Sequence, residues 1–218
     1  MRHRKHERTD VRPQPRKQTI VGRRGQPITE TVVMTTQPRL DPNQAALMVI
    51  DIQGRLAELM CNADSFEQEA ARMIRGARLF ELPVFWMEQI PEKLGPTRET
   101  VAQALEGLSP IPKTTFSVWE NDEARKRLQS SSRKQVLLVG IEAHVCVWQT
   151  ARDLLDQGYA VWAVSDAISA RQASNRELGL MRMKEAGVQL TSVEMALFEM
   201  QKQADTSDRF KAMVNLFR

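Results

Sequence analysis

The sequence predicts an α/β fold, a three-layer α/β/α arrangement around a mostly parallel sheet of about six strands. Three observations predict it. From Asp41 onward, short apolar runs alternate with amphipathic stretches. The runs are apolar throughout rather than alternately polar, as in strands buried on both faces. Two of the amphipathic stretches stop at a glycine, Gly158 and Gly187, where a helix C-cap belongs. Strand, helix and glycine stop in repetition is the pattern of a parallel sheet covered on both sides.

The elements follow in chain order. ALMVI (46–50) is the first strand, PVFWM (83–87) the second, and IPKTTF (111–116) a weak third. QVLLVG (135–140), AVWAVS (160–165) and VQLTS (188–192) complete the set. A helix over 66–80 places Ala70, Met73, Ile74, Ala77 and Leu79–Phe80 on one face. A second, over 146–157, turns Val147, Thr150, Ala151, Leu154 and Leu155 inward. A third, over 174–186, is expected to bury Leu178, Met181 and Met183. Two short helices, near 193–200 and 207–217, close the chain.

The 218 residues, 42% hydrophobic, suffice for one sizeable core. The longest apolar runs are too short to cross a bilayer, and the polar N-terminus lacks the apolar centre of a secretory signal. Two cysteines, Cys61 and Cys146, build no disulfide framework, so a reducing, cytoplasmic setting is expected. Charge is uneven. Residues 1–24 hold nine Lys or Arg against Glu7 and Asp10, a net +7, which leaves −3 for the rest of a chain of formal charge +4. Residues 1–40 therefore read as a basic, disordered N-terminal tail and 41–218 as the folded domain. Such a tail could meet nucleic acid or an anionic membrane through phosphate contacts. It has no aromatic residue for base stacking and no apolar helical face, so neither partner is expected. Glu7 and Asp10 argue against an organelle transit peptide.

In an open parallel sheet the ligand site lies beyond the carboxyl ends of the strands, where the strand order reverses. Three residues pass that filter. Asp51 directly follows the first strand, where an acid is costly unless partnered; the plainer reading is a turn or N-cap aspartate. Gln53 stands close enough in sequence to orient it. Cys146 opens the helix that ends at Gly158, and the positive end of a helix dipole is expected to lower a thiol pKa. A lone cysteine is more often a small buried hydrophobe, which is how Cys61 reads. Lys113 lies at the weak third strand, near Ile111, Phe116 and Trp119. Most lysines are surface charges. Together the three suit thiol chemistry: a nucleophile, a base to take its proton, and a cation to hold the base ionised. Phe116, Trp119 and Trp148 are candidate pocket walls, with Gln53, although buried aromatics more often belong to the core.

At these residues the sequence resembles the isochorismatase-like cysteine hydrolases, the superfamily of nicotinamidases and N-carbamoylsarcosine amidohydrolase. It is most similar to the isochorismatase domain-containing branch. The matching segments are LMVIDIQ around Asp51, EQIPEKLGPT (88–97), IPKTTFS around Lys113 and LLVGIEAHVCVWQTARDLLDQGYAVWAVSDAISAR (137–171). RELGLMRMKEAGVQLTSVEMALFEM (176–200) and FKAMVNLF (210–217) fit as well, so the likeness spans about residues 41–218.

The resemblance implies a Rossmann-like fold and a triad of Asp51, Lys113 and Cys146. It implies a cis peptide between Ile141 and Glu142 and an oxyanion hole from the backbone N–H groups of Glu142 and Cys146. It implies a homo-oligomer, a small-molecule substrate and no cofactor. The nicotinamidase metal site is not expected, because FWMEQIPEKLGPT holds no histidine and the chain's three are His3, His6 and His144. His144 is read as structural or at a subunit contact. The function expected is hydrolysis of a small amide or related acyl compound through a thioester. The alternatives are a redox or ligand-binding thiol, and a non-catalytic scaffold acting through its surface or tail. A dinucleotide oxidoreductase is disfavoured, since DIQGRLAELM after the first strand is no glycine-rich phosphate turn.

Overall fold

The computed structural model describes residues 16–21, 27–32 and 38–218, in two units that divide after Pro38. In the first, β1 (Arg16–Val21) and β2 (Pro27–Val32) pair antiparallel. The other residues of the expected tail, up to 37, lie outside the described residues.

The second unit runs β3 (Ala45–Ile50), α1 (Gly54–Glu58), α2 (Ala63–Leu79), β4 (Val84–Gln89), α3 (Pro91–Leu94), α4 (Glu99–Ala104), β5 (Ile111–Lys113) and α5 (Asp122–Ser130). It continues with β6 (Gln135–Gly140), a π-helical turn (Ala143–Val147), α6 (Trp148–Asp156), β7 (Ala160–Ile168), α7 (Ala173–Glu185), β8 (Gln189–Thr191), α8 (Val193–Gln201) and α9 (Asp208–Asn215). Strands β3 to β8 form one sheet in the order β5-β4-β3-β6-β7-β8, and every neighbouring pair is parallel. The chain thus works outward from β3 to one edge, returns to β6 and works outward to the other. Right-handed crossovers that change direction put their helices on opposite faces.

Period-two alternation along each strand feeds the two layers. On β3, Ala45, Leu47 and Val49 join Phe66, Met73, Ile74 and Leu197 on one side. Ala46, Met48 and Ile50 join Leu128, Val147, Ala151 and Leu154 on the other. No β3 residue is more than 1% exposed, and each of its larger side chains contributes roughly 1.5–3 kcal/mol by burial. In α2 the spacing Phe66, Ala70, Met73, Ile74, Ala77 makes one buried helical face. Asn121, Ser192 and Ser207 cap α5, α8 and α9, their side chains accepting from backbone N–H groups.

Helix α7 departs from expectation. Met183 is buried, but Leu178 and Met181 are 47% and 50% exposed. At 100° per residue, Met181 and Met183 lie on nearly opposite sides of a helix. The inward face is Gly179, Leu180 and Met183. Gly179 is needed there, because a Cβ would lie 2.7 Å from the Ala143 carbonyl carbon in the π-helical turn.

Candidate active site

The change of direction between β3 and β6 opens the carboxyl ends of two central strands side by side. Ile50 pairs with Gly140, and the Ile141 N–H donates to the Ile50 carbonyl at 2.9 Å. The strands are so close that a Cβ on Gly140 would lie 2.0 Å from that oxygen, and its φ of +123° also suits glycine alone. Beyond Ile50 the backbone turns sharply, with Asp51 at φ +55°. The Asp51 carboxylate stays buried there and meets a cation from β5.

Lys113, the last residue of β5, reaches back over β4 to meet it. Its ammonium donates to Asp51 Oδ2 at 2.7 Å, Gln89 Oε1 at 2.5 Å, and the carbonyls of Thr115 and Phe116 at 3.1 and 3.3 Å. Asp51 and Lys113 are 2% and 3% exposed. Gln89 ends β4, lies between them, and was missed by sequence reasoning. Its signal was available, since it occupies the same strand-end position as the other two.

Cys146 is buried at 7% exposure. It does not open an α-helix as expected. It lies inside the π-helical turn, one residue before Val147, with α6 starting at Trp148. Its pKa also departs from expectation in sign. Burial, followed by the charge of Asp51, pushes the thiol up to about 12, while Lys113 and a hydrogen bond from the Glu142 backbone N–H pull the other way. The helix-dipole expectation fails because desolvation and a nearby carboxylate outweigh it. Asp51 is itself raised above the usual carboxylate range, because burial outweighs the attraction of Lys113. Its Oδ1 is buried without a hydrogen-bond partner of normal geometry, and Cys146 acts directly on its proton affinity. Burial thus makes Asp51 a stronger base than an ordinary aspartate and Cys146 a weaker acid than an ordinary thiol.

The Ile141–Glu142 peptide is cis. The Glu142 side chain turns away from the sulfur to accept from the backbone N–H of Arg171 at 3.0 Å and from its Nε at 3.1 Å.

The remaining candidates divide. Gln53 is wholly buried and does not bond the Asp51 carboxylate. It accepts from the Gln89 N–H at 2.6 Å and donates to the Gly95 and Gln89 carbonyls at 2.8 and 3.3 Å. Phe116, 54% exposed, and Trp148 line a surface cavity of about 370 Å³ with Thr115, Ser117 and Glu120. Trp119 is not brought there. It stacks edge-on against Tyr159, ring centroids 5.8 Å apart, beside the amino end of β7. His144 Nδ1 is buried without a hydrogen-bond partner among the described residues. Cys61 Sγ sits 3.5 Å from Ser169 Oγ, in a contact that fits a structural role. Among the described residues no cluster of three His, Cys, Asp or Glu could hold a metal, and no helix is long and apolar enough to cross a membrane.

Comparison with known proteins adds four findings. The isochorismatase domain model matches residues 45–195. Isochorismatase domain-containing protein 2 of Pongo abelii is 38% identical over 163 residues, 74% of this chain and 78% of that protein. The MAR1 ribonuclease of Caenorhabditis elegans superposes with a TM-score of 0.77 at 34% identity, over 82% of this chain and 92% of that one. Two YcaC structures are each 25% identical. That of Pseudomonas aeruginosa, solved with hexane-2,5-diol and covalent acrylamide, has a TM-score of 0.78 and covers 83% of this chain and 92% of its own. That of Escherichia coli, described as an octameric hydrolase of unknown specificity, has 0.77 and covers 84% and 91%.

Proposed function

The chain belongs to the isochorismatase family, and from that premise we propose that it is a cysteine-dependent hydrolase of a small amide or related acyl compound. One observation carries the reading. The buried Asp51 has Oδ2 held by Lys113 and Oδ1 without a hydrogen-bond partner among the described residues, and its charge raises the proton affinity of Cys146.

In this mechanism the substrate carbonyl meets Cys146 as Asp51 accepts the thiol proton, so free thiolate never accumulates. The S–C bond forms as the carbonyl π pair moves to oxygen. The N–H groups of Glu142 and Cys146 hold the resulting oxyanion, commonly the largest contribution in such chemistry. The hydrogen bond from the Glu142 N–H to the sulfur supports its place there. Asp51 then protonates the leaving amine and the tetrahedral species collapses to a thioester; the same carboxylate takes a proton from the attacking water and returns it to the Cys146 sulfur as the C–S bond breaks and the acid leaves. Substrate would enter by the surface cavity that Phe116 and Trp148 line. The covalent acrylamide in a YcaC structure is consistent with a nucleophile in this fold. The octameric YcaC supports a homo-oligomer.

The other readings fit the site less well. A peroxide sensor needs a thiolate, and this thiol is pushed up to about 12. An RNA phosphodiester, suggested by the name of the Caenorhabditis elegans relative, would bring negative charge toward a buried carboxylate whose neighbouring ammonium is already shared by four oxygens.

The test is a panel of small amides and activated esters followed by intact-protein mass spectrometry. Acyl adducts on Cys146 and turnover that vanish in Cys146→Ala, with unchanged melting, are expected. Full turnover in that variant would sink the proposal.

A further inference from the structure

Lys113 has three N–H groups and four oxygens around it: Asp51 Oδ2, Gln89 Oε1 and the carbonyls of Thr115 and Phe116. None is left over for a substrate. The ammonium can therefore act only through the groups it already holds, and what it does for Asp51 depends on where those groups place it. Two of the four are carbonyls of one short loop, and Asp51 is the base itself. Gln89 alone approaches from a different strand.

Gln89 is itself locked. Its Nε2 donates to the Thr114 carbonyl at 2.9 Å, which turns Oε1 toward Lys113. Its backbone N–H donates to Gln53 Oε1 at 2.6 Å, and Gln53 Nε2 bonds the Gln89 and Gly95 carbonyls. Gln53 is wholly buried and Gln89 8% exposed. The two amides link the loop after β3, the end of β4 and the segment after β5. Buried amide networks of this kind hold one geometry because every alternative leaves a donor or acceptor unpaired.

We infer that Gln89, clamped by Gln53, is a positioning residue for the reaction: it draws the Lys113 ammonium onto Asp51 Oδ2 alone, so that Oδ1 stays free to take the Cys146 proton. The inference rests on the proposed role of Asp51 as base. Without Gln89 the ammonium can slide to bridge both carboxylate oxygens, which would weaken the base and block its open side.

The test reads Cys146 alkylation by iodoacetamide against pH, for wild type, Asp51→Asn, Gln89→Met and Gln89→Glu, with thermal melting alongside. When Asp51 holds the thiol proton, the reactive species is thiolate beside protonated Asp51. Its population stops rising once Asp51 has ionised, so the wild-type rate levels off with pH. In Gln89→Met a less basic Asp51 moves the levelling pH down by about one unit and lowers the plateau about tenfold, the two together because both follow one proton affinity. Gln89→Glu keeps an acceptor but adds a carboxylate, and moves the levelling pH up by about one unit. A residue that merely supported the fold would alter melting and leave the profile in place. If Gln89→Met fails to fold, the upward displacement in Gln89→Glu decides. Wild-type levelling pH in every folded Gln89 variant would overturn the inference while leaving the role of Asp51 intact. Identical profiles for wild type and Asp51→Asn would overturn that role and the inference with it.

Discussion

Replacing Asp51 by Asn should make Cys146 more reactive toward a simple electrophile while abolishing turnover. The perturbation removes one charge and little else, since Asn keeps an oxygen to accept from Lys113. Asp51 follows burial as a cause of the raised thiol pKa. At an effective dielectric near 20, a unit charge about 4 Å from an anion costs it about 4 kcal/mol, or about three pKa units, which sets the scale of what the Asp51 charge can do. The thiol pKa of about 12 should therefore fall in the variant. Burial still holds it up, and Lys113 and the Glu142 N–H, both of which lower it, remain. The assay is the rate of alkylation across pH 5–9 by intact-protein mass spectrometry. The wild-type rate should flatten above the raised pKa of Asp51, because further ionisation of that carboxylate opposes the thiolate. The variant should rise about tenfold per pH unit and exceed wild type by about 10- to 1000-fold at pH 9. Amide turnover should fall by about 10²- to 10⁴-fold, since no base accepts the thiol proton and no acid serves the leaving amine. Superimposed profiles, or a variant slower at every pH with unchanged melting, would refute the reasoning.

Lys113→Met leaves Asp51 buried without its cation and should cost about 3–5 kcal/mol at neutral pH by denaturant unfolding. The folded pKa of Asp51 is already raised above its ordinary value, so its folded state binds the proton more tightly than the unfolded chain. Its contribution to stability is lost as pH climbs from the unfolded toward the folded value, and the variant should recover in acid. A loss equal at pH 4 and pH 8 would contradict this. Gly140→Ala sets a Cβ 2.0 Å from the Ile50 carbonyl at a φ of +123°, and should destabilise by at least about 3 kcal/mol, the combined scale of strain and overpacking. Wild-type denaturant midpoints would mean that β3 and β6 can part cheaply.

The sequence by itself determined the layered parallel sheet, because apolar runs and helical spacing are local and repeat with the period of each element. It also marked Asp51 and Lys113 as strand-end residues, since a polar residue at the end of an apolar run shows at once, and Cys146 as a residue of the turn beyond β6. In helix α7 the expected inward set, Leu178, Met181 and Met183, does not share one face, because 100° per residue spreads it around the helix. Only Met183 meets the core. The roles of Gln89 and Gln53 are not legible in sequence because an amide's role depends on which backbone groups face it, and those groups come from the end of β4 and from the segments around Gly95 and Thr114. Trp119 was placed by nearness in sequence to Lys113, yet the chain turns at Val118 and carries the ring toward Tyr159. The largest gap concerns the thiol. A cysteine at a strand-to-helix junction reads as activated, because the helix dipole is legible in one dimension. Burial and the approach of Asp51 are not. They come from residues brought together across 95 positions of chain only when β3 and β6 pair, and in a dry site a full charge outweighs the partial charges of a helix end.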